Sequence, residues 1–309
     1  MINTQLALMR REIWEHRAIY LTPLVIGLLV LLGSLTGSFS VGTNVEVANL
    51  AVLVASNIGE GARTTAVLGI LASAIPLFFF AMLVLGAFYA LDALYAERKD
   101  RSILFWRSLP VTDAETVISK LLMAVVVIPL VTVVVIAVTQ IGVMIITSGL
   151  IAFRNGSPWE LLWKPAPLLD LWFVQAWFFV AFSLWMAPIA GWFLFVSGFV
   201  KRSPLLMAFL PLAIIPLMEH LLFRTDYFWE AVAKRLYSMP VFKTDNDWTN
   251  LESMFDDPAA LQSFTESFKL LAIFDFKGFL LSPGLYVGLV VCGLFVAAAI
   301  YVRRYRDDS

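Results

Sequence analysis

The sequence predicts an all-α protein that crosses a membrane with six helices. Of its 309 residues, 60% are hydrophobic and only 15% are charged, whereas soluble domains are about half apolar and about a quarter charged. Charged residues are absent from 121–153, 171–200 and 278–302. Each run exceeds the roughly 20 residues that a helix needs to cross a bilayer. Because the runs lack the alternation of barrel strands, we expect helices.

The predicted spans follow the apolar runs along the chain. They cover about 18–39, 66–94, 120–148, 171–200, 204–223 and 280–302. Lys and Arg are concentrated on one side: 13 of the 22 lie in four connections with 53 residues in total, and nine lie in the 104 residues of the others. By the positive-inside rule, we expect both termini in the cytoplasm.

Residues 1–17 predict an amphipathic helix on the membrane surface. Ile2, Leu6, Met9 and Ile13 recur on one helical face, with charged residues beside them. A cleaved signal peptide would have a shorter apolar run and a small-residue cleavage site after it. Neither feature occurs here, so we favour a surface anchor.

The connection between spans 2 and 3 carries the most informative pattern, reading ERKDRSILFWRSLPVTDAETVISK from Glu97 to Lys120. Its first part predicts a short amphipathic helix that Pro110 ends. The spacing of Thr112 and Glu115 is that of a capping box, which predicts the start of span 3. On periodicity alone, a helix that docks a partner and a helix lying in the headgroups fit equally. The apolar edge comprises Ile103, Leu104, Phe105, Trp106 and Leu109.

This connection resembles that of the ABC type-2 exporter permeases. In that family a long second span ends at an acidic residue and a polar turn, and a coupling helix, a proline, a capped third span and a lysine follow. The corresponding positions here are Glu97, Asp100 to Ser102, Ile103 to Leu109, Pro110, Thr112 to Glu115, and Lys120. The chain departs from the family at Arg101-Ser102, where many members have Gly-Thr.

The resemblance implies an exporter with two permease chains, identical or paralogous, and two copies of a cytoplasmic ABC ATPase. ATP and magnesium would bind to the ATPase, and no cofactor to this chain. We expect a multi-pass protein of the bacterial plasma (inner) membrane, in contact with lipids but not nucleic acid. The coupling helix at about 101–109 would dock the ATPase through Arg101, Ile103, Leu104, Phe105, Trp106, Leu109 and Pro110.

The chain lacks three common sequence motifs of nucleotide-binding proteins and hydrolytic enzymes. The phosphate loop G-x-x-x-x-G-K-[ST] is absent, as are H-E-x-x-H and G-x-S-x-G. We therefore predict no catalytic and no metal-binding residue. Two alternatives stay open: a membrane enzyme acting on a lipid or peptide, and a non-transporting sensor or assembly subunit on the same scaffold.

A few polar residues inside the spans are candidates for a substrate path or gate, because polar groups are costly in a bilayer. Glu219 and His220 lie near the outer end of span 5, whose Pro204, Pro211 and Pro216 predict a kinked or interrupted helix. The pair could instead satisfy freed backbone groups or bond across a dimer interface. Gln140 in span 3 and Gln175 in span 4 are further candidates, with helix packing as the alternative.

Glycine pairs four residues apart permit close helix approach. Gly33 and Gly37 have this spacing in span 1, and Gly284 and Gly288 have it in span 6. The resemblance implies that spans 1 and 5 form the interface between permease chains, so Gly33 and Gly37 are candidate dimer contacts.

The predicted division of the chain has four parts. They are an interfacial helix at 1–17, spans 1–5 with the coupling helix at 18–223, an extracytoplasmic helical segment at 224–281, and span 6 with a basic cytoplasmic tail at 282–309. In the third part, Asp257-Pro258 predicts a helix start. The resemblance implies a lid over the exit path, and a simple interfacial connection is the alternative.

Overall fold

The computed structural model describes residues 2–100, 111–243 and 269–305. In these ranges the chain is helical, apart from turns and one antiparallel bridge between Phe242 and Phe274. Six helical segments of the described residues are long and apolar enough to cross a membrane. The all-α, six-span class is therefore confirmed, while the cytoplasmic placement of the termini stays a prediction.

The helices that precede residues 101–110 form the first two spans. They are α1 (Ile2–Glu15), α2 (Ala18–Thr43), α3 (Val45–Asn57), α4 (Glu60–Ala72) and α5 (Ile75–Lys99). Span 1 is α2, and span 2 comprises α4 and α5. The connection between spans 1 and 2 is thus largely helical.

The other four spans follow residues 101–110. Their helices are α6 (Asp113–Leu122), α7 (Ile128–Phe153), α8 (Leu168–Trp185), α9 (Ala187–Phe199), α10 (Pro204–Phe223), α11 (Tyr227–Tyr237), α12 (Phe276–Leu281) and α13 (Pro283–Tyr305). A π-helical turn, Met123–Val127, joins α6 to α7 in span 3. Span 4 begins with α8 and continues in α9, span 5 is α10, and span 6 is α13.

Spans 2, 3 and 4 each contain an irregular point that ends two residues before a proline. Proline lacks an N–H and its ring clashes with the carbonyl four residues earlier, so a regular helix cannot pass through unchanged. The three points are Ser73–Ala74 before Pro76, Met123–Val127 before Pro129, and Met186 before Pro188. Span 4, predicted at about 171–200, therefore consists of two helices that meet at Met186.

Span 5 contains no such break. Its prolines predict a kinked or interrupted helix, and α10 runs without interruption from Pro204 to Phe223 with Pro211 and Pro216 inside. A kink in span 5 stays a prediction. Pro204 occupies the first turn, where no N–H is needed. Spanning helices can keep interior prolines when neighbouring groups take up the freed carbonyls.

The spans differ strongly in how much of them the rest of the chain covers. The α9 helix packs against α13 and α5, and α2 packs along α7. In the most apolar stretch of each span, 6% of residues are buried in span 5 and 17% in span 1, against 28–39% in the others. Spans 1 and 5 are therefore the spans that the rest of the chain covers least.

The segment predicted to lie outside the cytoplasm, which we call the external segment, is described at 224–243 and 269–281 and packs on spans 4 and 6. Val241 and Phe279 are fully buried and Phe274 nearly so, in a cluster with Trp185 and Leu285. Residues 244–268 lie outside the described part, so the helix start predicted at Asp257-Pro258 stays a prediction.

Candidate functional site

The predicted docking residues Arg101, Ile103, Leu104, Phe105, Trp106, Leu109 and Pro110 lie outside the described residues, but both flanks of their loop are described. On one side α5 ends at Lys99, and the Asp100 N–H donates to the Ala96 carbonyl at 2.9 Å. On the other side α6 begins at Asp113. The ten intervening residues thus run between two well-formed helix ends.

Thr112 and Glu115 form the capping box that their spacing predicts. The Glu115 N–H donates to Thr112 Oγ1 at 3.2 Å, and the Thr112 N–H donates to Glu115 Oε2 at 2.9 Å. These bonds satisfy two of the backbone donors that a helix N-terminus leaves free. They fix the point where span 3 begins.

A buried group of charges lies beside these flanks. We call Glu12, Glu97, Lys120 and Arg303 the ionic cluster. Lys120 Nζ lies 2.8 Å from Glu12 Oε1 and 3.1 Å from Glu97 Oε1. Arg303 Nη1 donates to Glu97 Oε2 at 2.6 Å, and Arg303 Nε donates to Asp113 Oδ1 at 2.9 Å. One contiguous network therefore joins α1 to spans 2, 3 and 6.

The ionic cluster is almost completely removed from solvent. The side chains of Lys120, Glu12 and Glu97 are 1%, 2% and 3% exposed. Two positive and two negative charges balance, and the Tyr89 hydroxyl donates a further bond to Glu12 Oε2 at 2.9 Å. Removing one member of such a set costs about 3–5 kcal/mol, because a buried charge is left unpaired. The network therefore holds the four helix ends in one arrangement.

The inward face of α1 overlaps the predicted one, because Met9 and Ile13 pack against the core, but it is shifted around the helix. Leu8 and Glu12 are buried, whereas Leu6 is 56% exposed. The reason is the pairing of Glu12 with Lys120, which places a charged position against the bundle. In addition, Gln5 Nε2 donates to the Glu115 carbonyl at 3.2 Å, so α1 also contacts the start of span 3.

The end of span 4 is bound to the same end of span 2. Arg98 Nη2 donates to the carbonyls of Ser197 and Val200, each at 2.6 Å. The hydroxyl of Ser197 accepts from the backbone N–H groups of Leu94 and Tyr95, each at 2.9 Å. The helix that leads into the loop is thus fixed on two sides.

Residues 64–156 match the model of a family described as ABC-2 family transporter protein. The match runs from span 2 through the loop to span 3, so it includes Glu97 and Lys120. Over this stretch, the chain is similar to the ABC-2 permeases. No curated protein and no solved structure matches it significantly.

This similarity and the six apolar helices support a multi-pass membrane protein that is the permease subunit of an ABC transporter. Such a subunit works with an ABC ATPase. The family assignment that the loop predicts is therefore confirmed. The roles of individual loop residues stay predictions.

Glu219 and His220 make local contacts at the C-terminal end of span 5. Glu219 Oε1 and Oε2 accept from the backbone N–H groups of Tyr227 and Phe228, each at 2.9 Å. His220 Nδ1 lies 3.1 Å from Asp226 Oδ1. Glu219 thereby caps the N-terminus of α11, and a part in a substrate path or gate stays a prediction.

The two glutamines of the permease differ in their partners. Gln140 Nε2 donates to the Leu71 carbonyl at 3.1 Å, and its Oε1 accepts from Trp172 Nε1 at 3.0 Å. It thus links spans 2, 3 and 4. Gln175 is 3% exposed, and its side-chain amide has no hydrogen-bond partner among the described residues.

The two glycine pairs also differ. A Cβ atom built at Gly33 or Gly37 would meet nothing within 4 Å, so this stripe lies open on the surface of the chain. At Gly284 the added atom would meet Trp185, and at Gly288 it would overlap the Arg235 guanidinium. The pair in span 6 therefore makes room for these side chains.

Arg235 fixes the external segment to the bundle, and we call this contact the arginine clamp. Its Nε donates to the Trp185 carbonyl and its Nη1 to the Gly284 carbonyl, both at 2.7 Å. The guanidinium carbon lies 4.0 Å from the Trp185 ring centroid, within cation–π range. Burial lowers the pKa of Arg235. A side chain from α11 thus binds the backbone at the break in span 4.

Proposed function

We propose that this permease is the membrane subunit of an exporter, driven by ATP that two copies of a separate cytoplasmic ATPase hydrolyse. The carrying observation is the ionic cluster, which ties together both flanks of residues 101–110 within the stretch that matches the family. ATP and magnesium would bind to the ATPase, and this chain would bind neither. The second permease would be an identical or a paralogous chain.

The proposed mechanism follows from how the flanks are held. A coupling helix at 101–109 would sit in a cleft of the ATPase, and closure of the ATPase pair would press on it. Glu97 and Lys120 bond across the two flanks, so span 2 and span 3 would move together. Glu12 and Arg303 extend the rigid part to α1 and span 6. Force at one short helix would thus reach four helix ends.

The proposed assembly uses the least covered spans. Spans 1 and 5 would face the second permease chain, with Gly33 and Gly37 at the contact. The proposed division of the chain has four parts: the interfacial helix at 1–17, the bundle at 18–223, the external segment at 224–281, and span 6 with the basic tail at 282–309. We place the complex in the bacterial inner membrane with both termini inside.

The direct test is to purify the tagged chain in mild detergent and identify what comes with it by mass spectrometry. We expect a stoichiometric soluble protein that contains a phosphate-binding loop. A stable chain that purifies without any ATPase would contradict the proposal and favour a membrane enzyme or a stand-alone structural protein.

The docking role of residue 106 has a sharper test. Trp106→Glu places a charge on the apolar edge of the proposed coupling helix, so we expect the ATPase to be lost from the purified complex. The matched control is Trp159→Glu, at a tryptophan that is 64% exposed and outside the loop. Equal ATPase recovery in both variants would show that Trp106 does not dock.

A further inference from the structure

A groove of about 350 Å³ opens between span 2, the start of span 5 and the turn that joins α1 to span 1. It lies at the end of the bundle that carries the ionic cluster. Its wall includes His16, Phe88, Tyr89, Asp92, Tyr95 and Leu205. This volume is at the lower end of the roughly 300–1,000 Å³ of small-molecule sites.

The groove is polar at one end and apolar at the other. Leu85, Phe88, Asp92 and Tyr95 line it from one face of α5, spaced three or four residues apart. Asp92 precedes Lys99 by seven residues, about 10 Å along the helix axis. The carboxylate therefore lies near the membrane surface, and Phe88 and Leu85 lie one and two turns deeper. This change from a polar to an apolar lining matches the polar head and apolar tail of an amphiphile.

The carboxylate of Asp92 favours a positively charged ligand in the groove. Asp92 is exposed, and within the described residues it has no hydrogen-bond or ion-pair partner. No Lys or Arg lines the groove. A carboxylate without a partner at the edge of the bilayer attracts a cation, because water screens the charge less there than in bulk solvent.

The aromatic wall favours the same ligand. Phe88 is 58% exposed, and Tyr89 and Tyr95 each lie three residues, about one turn, from Asp92. Aromatic faces attract ammonium groups, most strongly where water is scarce. We propose that this groove binds an amphiphile with a positively charged ammonium head at Asp92 and an alkyl tail along Phe88 and Leu85. That the bound amphiphile is also the exported substrate rests on the proposed function.

The test uses the full chain purified in non-ionic detergent, with dodecylammonium as the probe and dodecanol as its uncharged isostere. We expect dodecylammonium to bind and to raise the thermal unfolding temperature more than dodecanol does. Asp92→Asn should weaken dodecylammonium binding about tenfold, the scale of one charge-assisted hydrogen bond. Asp170→Asn, at an exposed carboxylate in another span, should leave it unchanged.

A second pair of variants tests the contact between Phe88 and the alkyl tail of the amphiphile. Phe88→Ala should weaken binding of both probes, whereas Phe80→Ala, on the same helix and 66% exposed but outside the groove, should not. Equal binding of the two probes, or dodecylammonium binding that Asp92→Asn leaves intact, would overturn the proposal. Neither result bears on whether an ATPase co-purifies, so this proposal and the proposed function can fail separately.

Native mass spectrometry distinguishes two sources of the ammonium head. Retention of phosphatidylethanolamine over phosphatidylglycerol by the wild type, lost in Asp92→Asn, would support the site with a lipid headgroup as its natural occupant. Dodecylammonium binding without such retention would support a free amphiphile. Preference for phosphatidylglycerol would contradict a cation site.

Discussion

Lys120 shows what a single residue contributes to this fold. Its ammonium group is held between the carboxylates of Glu12 and Glu97, with 1% of the side chain exposed. The family resemblance pointed to Glu97 and Lys120. Glu12 and Arg303 gave no such signal, because a charge on an amphipathic helix and a basic residue after a span are both ordinary features of a membrane surface. Only the packing of four distant segments brings them together.

Lys120→Met tests the ionic cluster. It leaves two carboxylates buried without their shared cation, so we expect a loss of about 3–5 kcal/mol in stability, measured by unfolding in detergent. The double variant Glu12→Gln, Lys120→Met should recover part of that loss. Lys164→Met is the control, because Lys164 is half exposed and its ion pairs lie in solvent. Equal effects of the two lysine substitutions would contradict the burial argument.

Gly288→Ala tests the arginine clamp. The added methyl group would overlap the Arg235 guanidinium, so we expect a lower unfolding temperature and faster proteolysis of the external segment. Gly293→Ala in the same helix meets nothing within 4 Å and should leave both unchanged. An unaffected Gly288→Ala would mean that Arg235 does not hold the segment.

At the scale of elements, the apolar runs predicted all six spans, while the breaks inside them escaped prediction. Spans 2 and 4 break before Pro76 and Pro188, and span 3 widens before Pro129. Span 5, in contrast, passes Pro211 unbroken. The presence of proline is visible in sequence, but its effect depends on the partners of the freed carbonyls. At two of the breaks, a side chain remote in sequence binds a carbonyl next to the break: Gln140 binds that of Leu71, and Arg235 binds that of Trp185.

Gln140→Leu tests this account of the breaks. It leaves the Leu71 carbonyl and the Trp172 N–H without their partner, so we expect a loss of about 1–2 kcal/mol. Gln175→Leu is a close control, because its buried amide has no partner among the described residues. That substitution should be neutral or stabilising in thermal unfolding. A larger loss at position 175 than at 140 would contradict the assignment.

At the scale of the whole molecule, the sequence could predict how many spans there are but not how they pack. Hydrophobicity is similar in a span that faces lipid, a partner or the bundle, so the exposed positions of spans 1 and 5 carried no distinct pattern. The spacing of Gly33 and Gly37 was one hint, yet Gly284 and Gly288 share it and meet side chains of their own chain.

Gly37→Cys tests the proposed permease interface. If span 1 faces a second chain, we expect a disulfide or a short cross-link to an identical or paralogous permease under mild oxidation, seen by mass spectrometry. Gly293→Cys, at an equally open position in span 6, should give none. Cross-linking at 293 and not at 37 would place the interface elsewhere.

The hydroxyl of Tyr89 has a consequence for regulation. Tyr89 lines the groove and donates to Glu12, so one side chain belongs to both the proposed ligand site and the proposed force-bearing network. If a bound ligand shifts this ring, ligand binding and ATPase binding are linked by a coupling free energy. Thermodynamics makes that coupling reciprocal. Whatever factor the ligand applies to ATPase affinity, the ATPase must apply to ligand affinity. Tyr89→Phe would then reduce equally the effect of the ligand on ATPase affinity and the effect of the ATPase on ligand affinity. The affinity of each partner alone would still be measurable.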